Sequence, residues 1–192
     1  MQQLDNRMST GGRLERFTGR LLLVAATPDH LRAELESPSK LGFLLDADVP
    51  GDWPPGEYDR NAQEFFRGRM EQAEPSALGW YVWYAVLRAA GGNAMLVGTG
   101  GFLGPPDAAG DVEIGYSLSE SWRGKGFAKE MVGGLVRQAL SDPRVNRLVA
   151  RTNEQNVRSR SVLEGNGFHV TGVGSEPGSL RYELHRSSTG VV

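Results

Sequence analysis

Apolar and polar positions divide the chain into short, well-punctuated segments. Arg20–Ala26 is an apolar run closed by Thr27-Pro28, which predicts a strand followed at once by a helix. Thr27 has the side chain of an N-cap, Pro28 suits the first helical position, and the helix is expected to run to about Glu36. A helical turn is expected around Lys40–Leu45. Val49–Gly56 holds three prolines and two glycines, which excludes regular structure. Arg60–Glu74 returns to helical spacing, with Phe65, Phe66, Arg69 and Met70 placing the aromatics on one side.

Beyond Pro75 the period changes to that of strands. Trp80–Arg88 is aromatic and β-branched, Ala89–Asn93 reads as a hairpin turn, and Ala94–Phe102 as the return strand. Asp111–Leu118 is a further strand, and a glycine-rich turn then opens a helix from Arg123 to about Leu140. Arg147–Thr152 reads as a strand and Asn156–Glu164 as a helix. Gly167-Phe168 starts another strand, and Leu180–His185 is the last. The order β–α–α–β–β–β–α–β–α–β–β predicts an α/β fold, a mixed sheet with helices on both faces. Residues 1–18 are expected as a flexible tail, 19–186 as a single domain and 187–192 as a C-terminal tail.

Composition narrows the class. A length of 192 residues suits one core, and 39% hydrophobic with 23% charged residues excludes whole-chain disorder. No apolar run is long enough to cross a bilayer and no secretory leader is expected at the start. The chain has no cysteine, which removes disulfides, a thiol nucleophile and cysteine-held metals and is compatible with a cytoplasmic location. The three histidines lack metal-ligand spacing, so no metal is expected. A net charge of −2 speaks against nucleic-acid binding. The charge is nevertheless divided: Thr27–Gly79 carries a net −6 and Arg123–Arg160 a net +6. One half suits a cation and the other a polyanion, or the two are merely oppositely charged solvated faces.

The segment Arg123-Gly124-Lys125-Gly126-Phe127-Ala128 follows a strand and opens a helix. Free amides of a first helical turn, at the positive end of the dipole, make an anion site, and glycines let a ligand approach the backbone. The order required of a phosphate-binding P-loop is absent, and a meander precedes the turn where a dinucleotide fold would have a parallel unit. The plain alternative is an ordinary glycine-rich helix entry.

Arg123-x-x-Gly126-x-Ala128 resembles the signature of the GNAT N-acetyltransferase superfamily. Asn156-x-x-Ser159-x-x-Val162-Leu163-Glu164-x-x-Gly167-Phe168 and Glu113-Ile114-Gly115-Tyr116 resemble its ribosomal-protein N-terminal acetyltransferase branch. The resemblance is strong over Trp80–His185 and weak over the first 75 residues. It implies a largely antiparallel GNAT sheet of about seven strands, and acetyl-CoA as acyl donor with its pyrophosphate held by Arg123, Gly124, Lys125, Gly126, Phe127 and Ala128. It also implies a V between the strands at Asp111–Leu118 and Arg147–Thr152, with Leu118 where CoA-contacting backbone leaves the strand. Lys129 and Arg158 are candidates for the 3′-phosphate.

Acetyl transfer to an amine proceeds by direct attack, so the lack of cysteine is no obstacle. An ammonium must first lose a proton, and Glu113 is the candidate base, acting through a water; its plain alternative is a solvent-facing strand carboxylate. Many relatives place a tyrosine on the later helix to serve the leaving thiolate. Here that position is Leu163, leaving Asn156 and Ser159 as candidates, with helix capping as their equal alternative. Asn156 is also a candidate CoA contact. The expected acceptor is a primary amine, either a cationic small molecule or a peptide N-terminus. It would be drawn by Asp46, Asp48, Asp52, Glu57 and Asp59 around the proline-rich loop, with Trp53, Phe65, Phe66, Trp80, Trp83 and Tyr84 as pocket wall or as core. Relatives occur as monomers and as dimers, so a homodimer is within what the resemblance allows. A non-catalytic CoA-binding module on the same fold is the alternative function, and a dinucleotide-dependent enzyme a third.

Overall fold

The cap expected at Thr27 forms. In a computed structural model of the chain, which describes residues 13–88 and 92–186, a strand ends at Ala25 and Thr27 starts helix α1 (Pro28–Glu36). Its hydroxyl accepts the His30 N–H at 3.4 Å, and its own N–H donates to His30 Nδ1 at 3.2 Å. His30 thus takes the place usually held by Glu or Gln in a reciprocal cap. The remaining helices are α2 (Pro38–Leu45), α3 (Arg60–Gln72), α4 (Phe127–Leu140) and α5 (Val157–Glu164). No helix among the described residues is long and apolar enough to cross a membrane.

Among the described residues the sheet has eight strands: β1 (Glu15–Phe17), β2 (Leu21–Ala25), β3 (Val82–Leu87), β4 (Met95–Phe102), β5 (Asp111–Leu118), β6 (Arg147–Asn153), β7 (His169–Val173) and β8 (Ser179–His185). Their order is β1-β2-β3-β4-β5-β6-β8-β7, and every pair is antiparallel except β5–β6. The expected mixed, largely antiparallel α/β sheet is present with one strand more than the seven expected. The extra strand, β1, lies inside the stretch expected to be tail. Three residues beginning Glu-Arg carry no alternating pattern, so β1 owes its conformation to the open edge of β2. Residues 1–12, 187–192 and the 89–91 part of the expected hairpin turn lie outside the described residues.

Side-chain alternation along the central strands builds a core on each face. Leu23, Trp83, Ala85 and Val97 pack under α4 and α5 with Met131, Leu135 and Leu163. Val24, Tyr84, Val86 and Leu96 pack on the other face with Leu31, Leu41 and Met70 from α1–α3. The aromatic run therefore divides between the two: Trp80 and Trp83 go to the first core, Tyr81 and Tyr84 to the second. Trp53 and Phe66 pack at the margin of the second, and Phe65 is exposed. Most of these rings are core rather than pocket wall.

Candidate active site

The parallel pair β5–β6 is short. Its register covers only Asp111–Glu113 against Arg147–Val149, after which β5 runs on to Leu118 and β6 to Asn153 without pairing to each other. The strands therefore diverge just past Glu113, which sits at the apex of a V. Val112, Ile114 and Leu118 of β5 face the α4–α5 core, as does the half-buried Tyr116. Asp111 and Glu113 point to the opposite face, into a cleft shared with Arg69 of α3.

At the far end of β5 a single 3₁₀ turn, Glu120–Trp122, leads into the glycine turn. Gly124 and Gly126 have φ of +76° and +81°, in the left-handed region that favours glycine. Gly126 caps α4 without a side chain. Among the described residues no acceptor takes the N–H groups of Gly124, Lys125, Gly126, Phe127 or Ala128. Five backbone donors at a helix start form a ready cradle for a phosphate oxygen. Arg123 and Lys125 brace this turn. Arg123 Nε donates to the Leu118 carbonyl at 3.1 Å, and Lys125 Nζ donates to the Ser121 carbonyl at 3.0 Å while lying 4.5 Å from the Trp122 ring centroid.

Sequence reasoning missed another cation here. Arg20 Nη1 donates to the Lys125 carbonyl at 3.0 Å, and its guanidinium lies 4.3 Å from the Phe127 ring centroid. Glu130 fixes it from α4, accepting from Arg20 Nε at 2.7 Å and from Thr18 Oγ1 at 2.5 Å. Arg20 and Glu130 are 110 residues apart, so no local pattern announces the contact. Lys129 and Arg137 line an adjoining open groove of about 330 Å³, and Arg158 does not.

Across the V, Asn156 Oδ1 accepts the Ser159 N–H at 3.0 Å and caps α5. Ser159 Oγ lies 3.0 Å from the Tyr116 hydroxyl, which also donates to the Ser159 carbonyl at 3.0 Å. Burial pushes the Tyr116 pKa up to about 12, so the phenol keeps its proton at neutral pH. Leu163 is fully buried in the core. Tyr116 is visible in the sequence only as part of a motif; its approach to α5 depends on how the strands diverge.

On the opposite face Glu113 is ion-paired with Arg151. The cleft beside them, about 450 Å³, is also lined by Arg69, Asp107, Asp111 and Arg181. The proline-rich loop reaches the other end of β5, beside the glycine turn. Asp52 Oδ2 accepts the Ser121 N–H at 3.3 Å, and at Gly56 (φ +56°) a Cβ would stand 2.7 Å from Ser117 Oγ. Carboxylates expected to act together have partners of their own. Asp59 caps α3 through the Ala62 N–H at 3.0 Å, Asp48 accepts from Asn93 at 3.1 Å, and Asp46 ends α2 in a left-handed conformation. What anchors the loop is Glu34 of α1, 7% exposed. Its carboxylate accepts from Trp53 Nε1 (2.7 Å), Tyr58 OH (2.9 Å), Gln63 Nε2 (3.1 Å) and Tyr84 OH (2.7 Å).

Comparison with known proteins bears on this arrangement. The family model described as an acetyltransferase (GNAT) domain matches residues 20–169. An uncharacterized N-acetyltransferase of Bacillus subtilis, YjdG, is 32% identical over 156 residues, covering 81% of this chain and 84% of that protein. Among solved structures, the ribosomal L7/L12 alpha-N-protein acetyltransferase RimL in complex with coenzyme A superposes with a TM-score of 0.61 at 20% identity, over 88% of this chain and 95% of that one. The microcin C7 self-immunity acetyltransferase MccE, in complex with acetyl-CoA and AMP, does so at 0.58 and 16%, over 88% and 93%. These two structural likenesses show the fold.

Proposed function

Because the chain belongs to the GNAT acetyltransferase family, we propose that it transfers an acetyl group from acetyl-CoA to a primary amine, a cationic small molecule or a peptide N-terminus, by direct attack. The observation that carries this reading is the parting of β5 from β6 just past Glu113, with five amides beyond the other end of the same strand that have no acceptor among the described residues. A thioester lying along the V supplies the activated acetyl group. The Gly124–Ala128 amides hold its pyrophosphate, with Arg20 adding charge beside them, while Arg123 and Lys125 keep the turn in shape. The Leu118 carbonyl serves that bracing, so its role is to fix where the turn leaves the strand.

Glu113 takes a proton from the incoming ammonium, through a water, once Arg151 yields its place. Asn156 caps α5 and thereby sets Ser159, whose hydroxyl forms a pair with Tyr116. A hydrogen bond from this pair to the departing sulfur does the work expected of the tyrosine that Leu163 replaces. The missing tyrosine, the ground for a non-catalytic module, therefore has a substitute. A peptide acceptor is supported by the likeness to RimL, and a cytoplasmic location by the cysteine-free chain.

The test is free-CoA release from acetyl-CoA with a panel of amines and peptide N-termini. Glu113→Gln is expected to lower kcat about 10²–10⁴-fold while CoA affinity stays unchanged. Wild-type turnover that survives this substitution overturns the assignment of the base.

A further inference from the structure

For an enzyme that transfers acetyl groups, the reading on which this inference rests, the cleft beside Glu113 narrows the choice of acceptor. Its carboxylates are already engaged. Arg147 Nε donates to Asp111 Oδ1 at 2.9 Å. Asp107 Oδ1 accepts the N–H groups of Ala109 and Asp111 at 2.8 and 2.9 Å. Arg181 Nε donates to Glu183 at 2.8 Å, and Glu113 is paired with Arg151. Arg69, near the end of α3, brings its guanidinium beside Gly104 at the rim of the same cleft. Among the described residues no carboxylate pairs with it.

This balance discriminates between amines. A simple cationic amine reaching Glu113 displaces Arg151 and leaves two guanidiniums, those of Arg151 and Arg69, without a counter-charge. An amine that also carries a carboxylate exchanges partners instead: its ammonium replaces Arg151 on Glu113, and its carboxylate is received by Arg151 and Arg69. The existing ion pair is thus replaced by two, and forked guanidinium–carboxylate contacts favour that geometry.

We propose that the acceptor is a primary amine bearing a carboxylate a few bonds away, its ammonium taken by Glu113 and its carboxylate by Arg69 and Arg151. That chemistry is found in a free amino acid or in a polypeptide beginning with Asp or Glu. As the N–C bond forms and the C–S bond breaks, the ammonium loses two protons. One passes to Glu113 and on to solvent, and the other ends on the departing sulfur.

The experiment measures thiol release by the full chain in two matched arms. Alanine and serine are compared with their α-carboxamides, and the peptide amide Asp-Ala-Ala-Ala with Asn-Ala-Ala-Ala. In at least one arm the carboxylate-bearing member is expected to have a kcat/KM about tenfold higher or more, and the arm identifies its source. Arg69→Met should raise that substrate's KM to the level of its uncharged partner with kcat held. Because Arg69 makes no ion pair among the described residues, the melting temperature should not move. Equal use of charged and uncharged partners in both arms, or a KM untouched by Arg69→Met, overturns this proposal alone. Absence of transfer to every acceptor, with CoA still bound, overturns the acetyl-transfer reading and this proposal with it.

Discussion

Replacing Glu34 by Leu removes one side chain of similar size and four hydrogen bonds at once. Tyr58, Gln63 and Tyr84 are buried and would each keep an unpaired donor, while Trp53 is half-buried and can turn to water. At about 1–3 kcal/mol for each buried orphan the gross loss is about 3–9 kcal/mol. Part of it is returned, because burial raises the Glu34 pKa despite the four donors, and removing the carboxylate relieves that desolvation. A net destabilisation of about 3 kcal/mol is expected at pH 7, read from urea unfolding. The sign with pH is also set. With its folded pKa raised, the carboxyl costs stability as pH climbs from the ordinary carboxylate value through the folded one, so Glu34→Leu should lose that limb. Since Trp53 and Tyr58 hang from Glu34, the variant should also raise the acceptor KM while CoA affinity stays put. A loss under about 1 kcal/mol with an unchanged KM would refute the idea that this carboxylate fastens the loop.

His30, 5% exposed, has its pKa lowered from 6.5 to about 4, mainly by burial. The folded state therefore loses about 3 kcal/mol as pH falls from 6.5 to 4, and His30→Gln, which can keep the reciprocal cap, should flatten that limb in urea midpoints. Gly126→Val puts a β-branched residue at φ +81°, at a cost of about 1–3 kcal/mol, and should abolish the CoA-dependent rise in melting temperature while the domain stays folded. Tyr116→Phe should lower kcat about tenfold or more with little change in CoA affinity; an unchanged kcat removes Tyr116 from the thiolate's partners.

Much of the fold is written in interactions that span only a few residues. Thr27 and Pro28 start α1 because a cap and a preset φ act within one turn. Asp111–Leu118 forms the strand expected there, and the Gly124–Gly126 turn takes the left-handed conformations its glycines permit. Asn156 caps α5 through the Ser159 N–H, three residues on. The chemical partnerships are different in kind. Arg20 meets Glu130, Tyr116 meets Ser159 and Arg151 meets Glu113 across separations of 110, 43 and 38 residues. The gathering of Arg69 with Glu113, and of four donors on Glu34, likewise needs α1, α3 and the proline-rich loop to settle on one face of the sheet. The acidic loop shows the limit of counting charge along a chain: its carboxylates are neighbours in sequence, yet one caps a helix and another bonds Asn93. Local sequence fixes φ, ψ and side-chain alternation, so it determined most of the elements and the glycine turn that opens α4. Strand order and the early parting of β5 from β6 bring distant side chains within hydrogen-bonding reach, so tertiary structure alone decided which charges line the cleft beside Glu113.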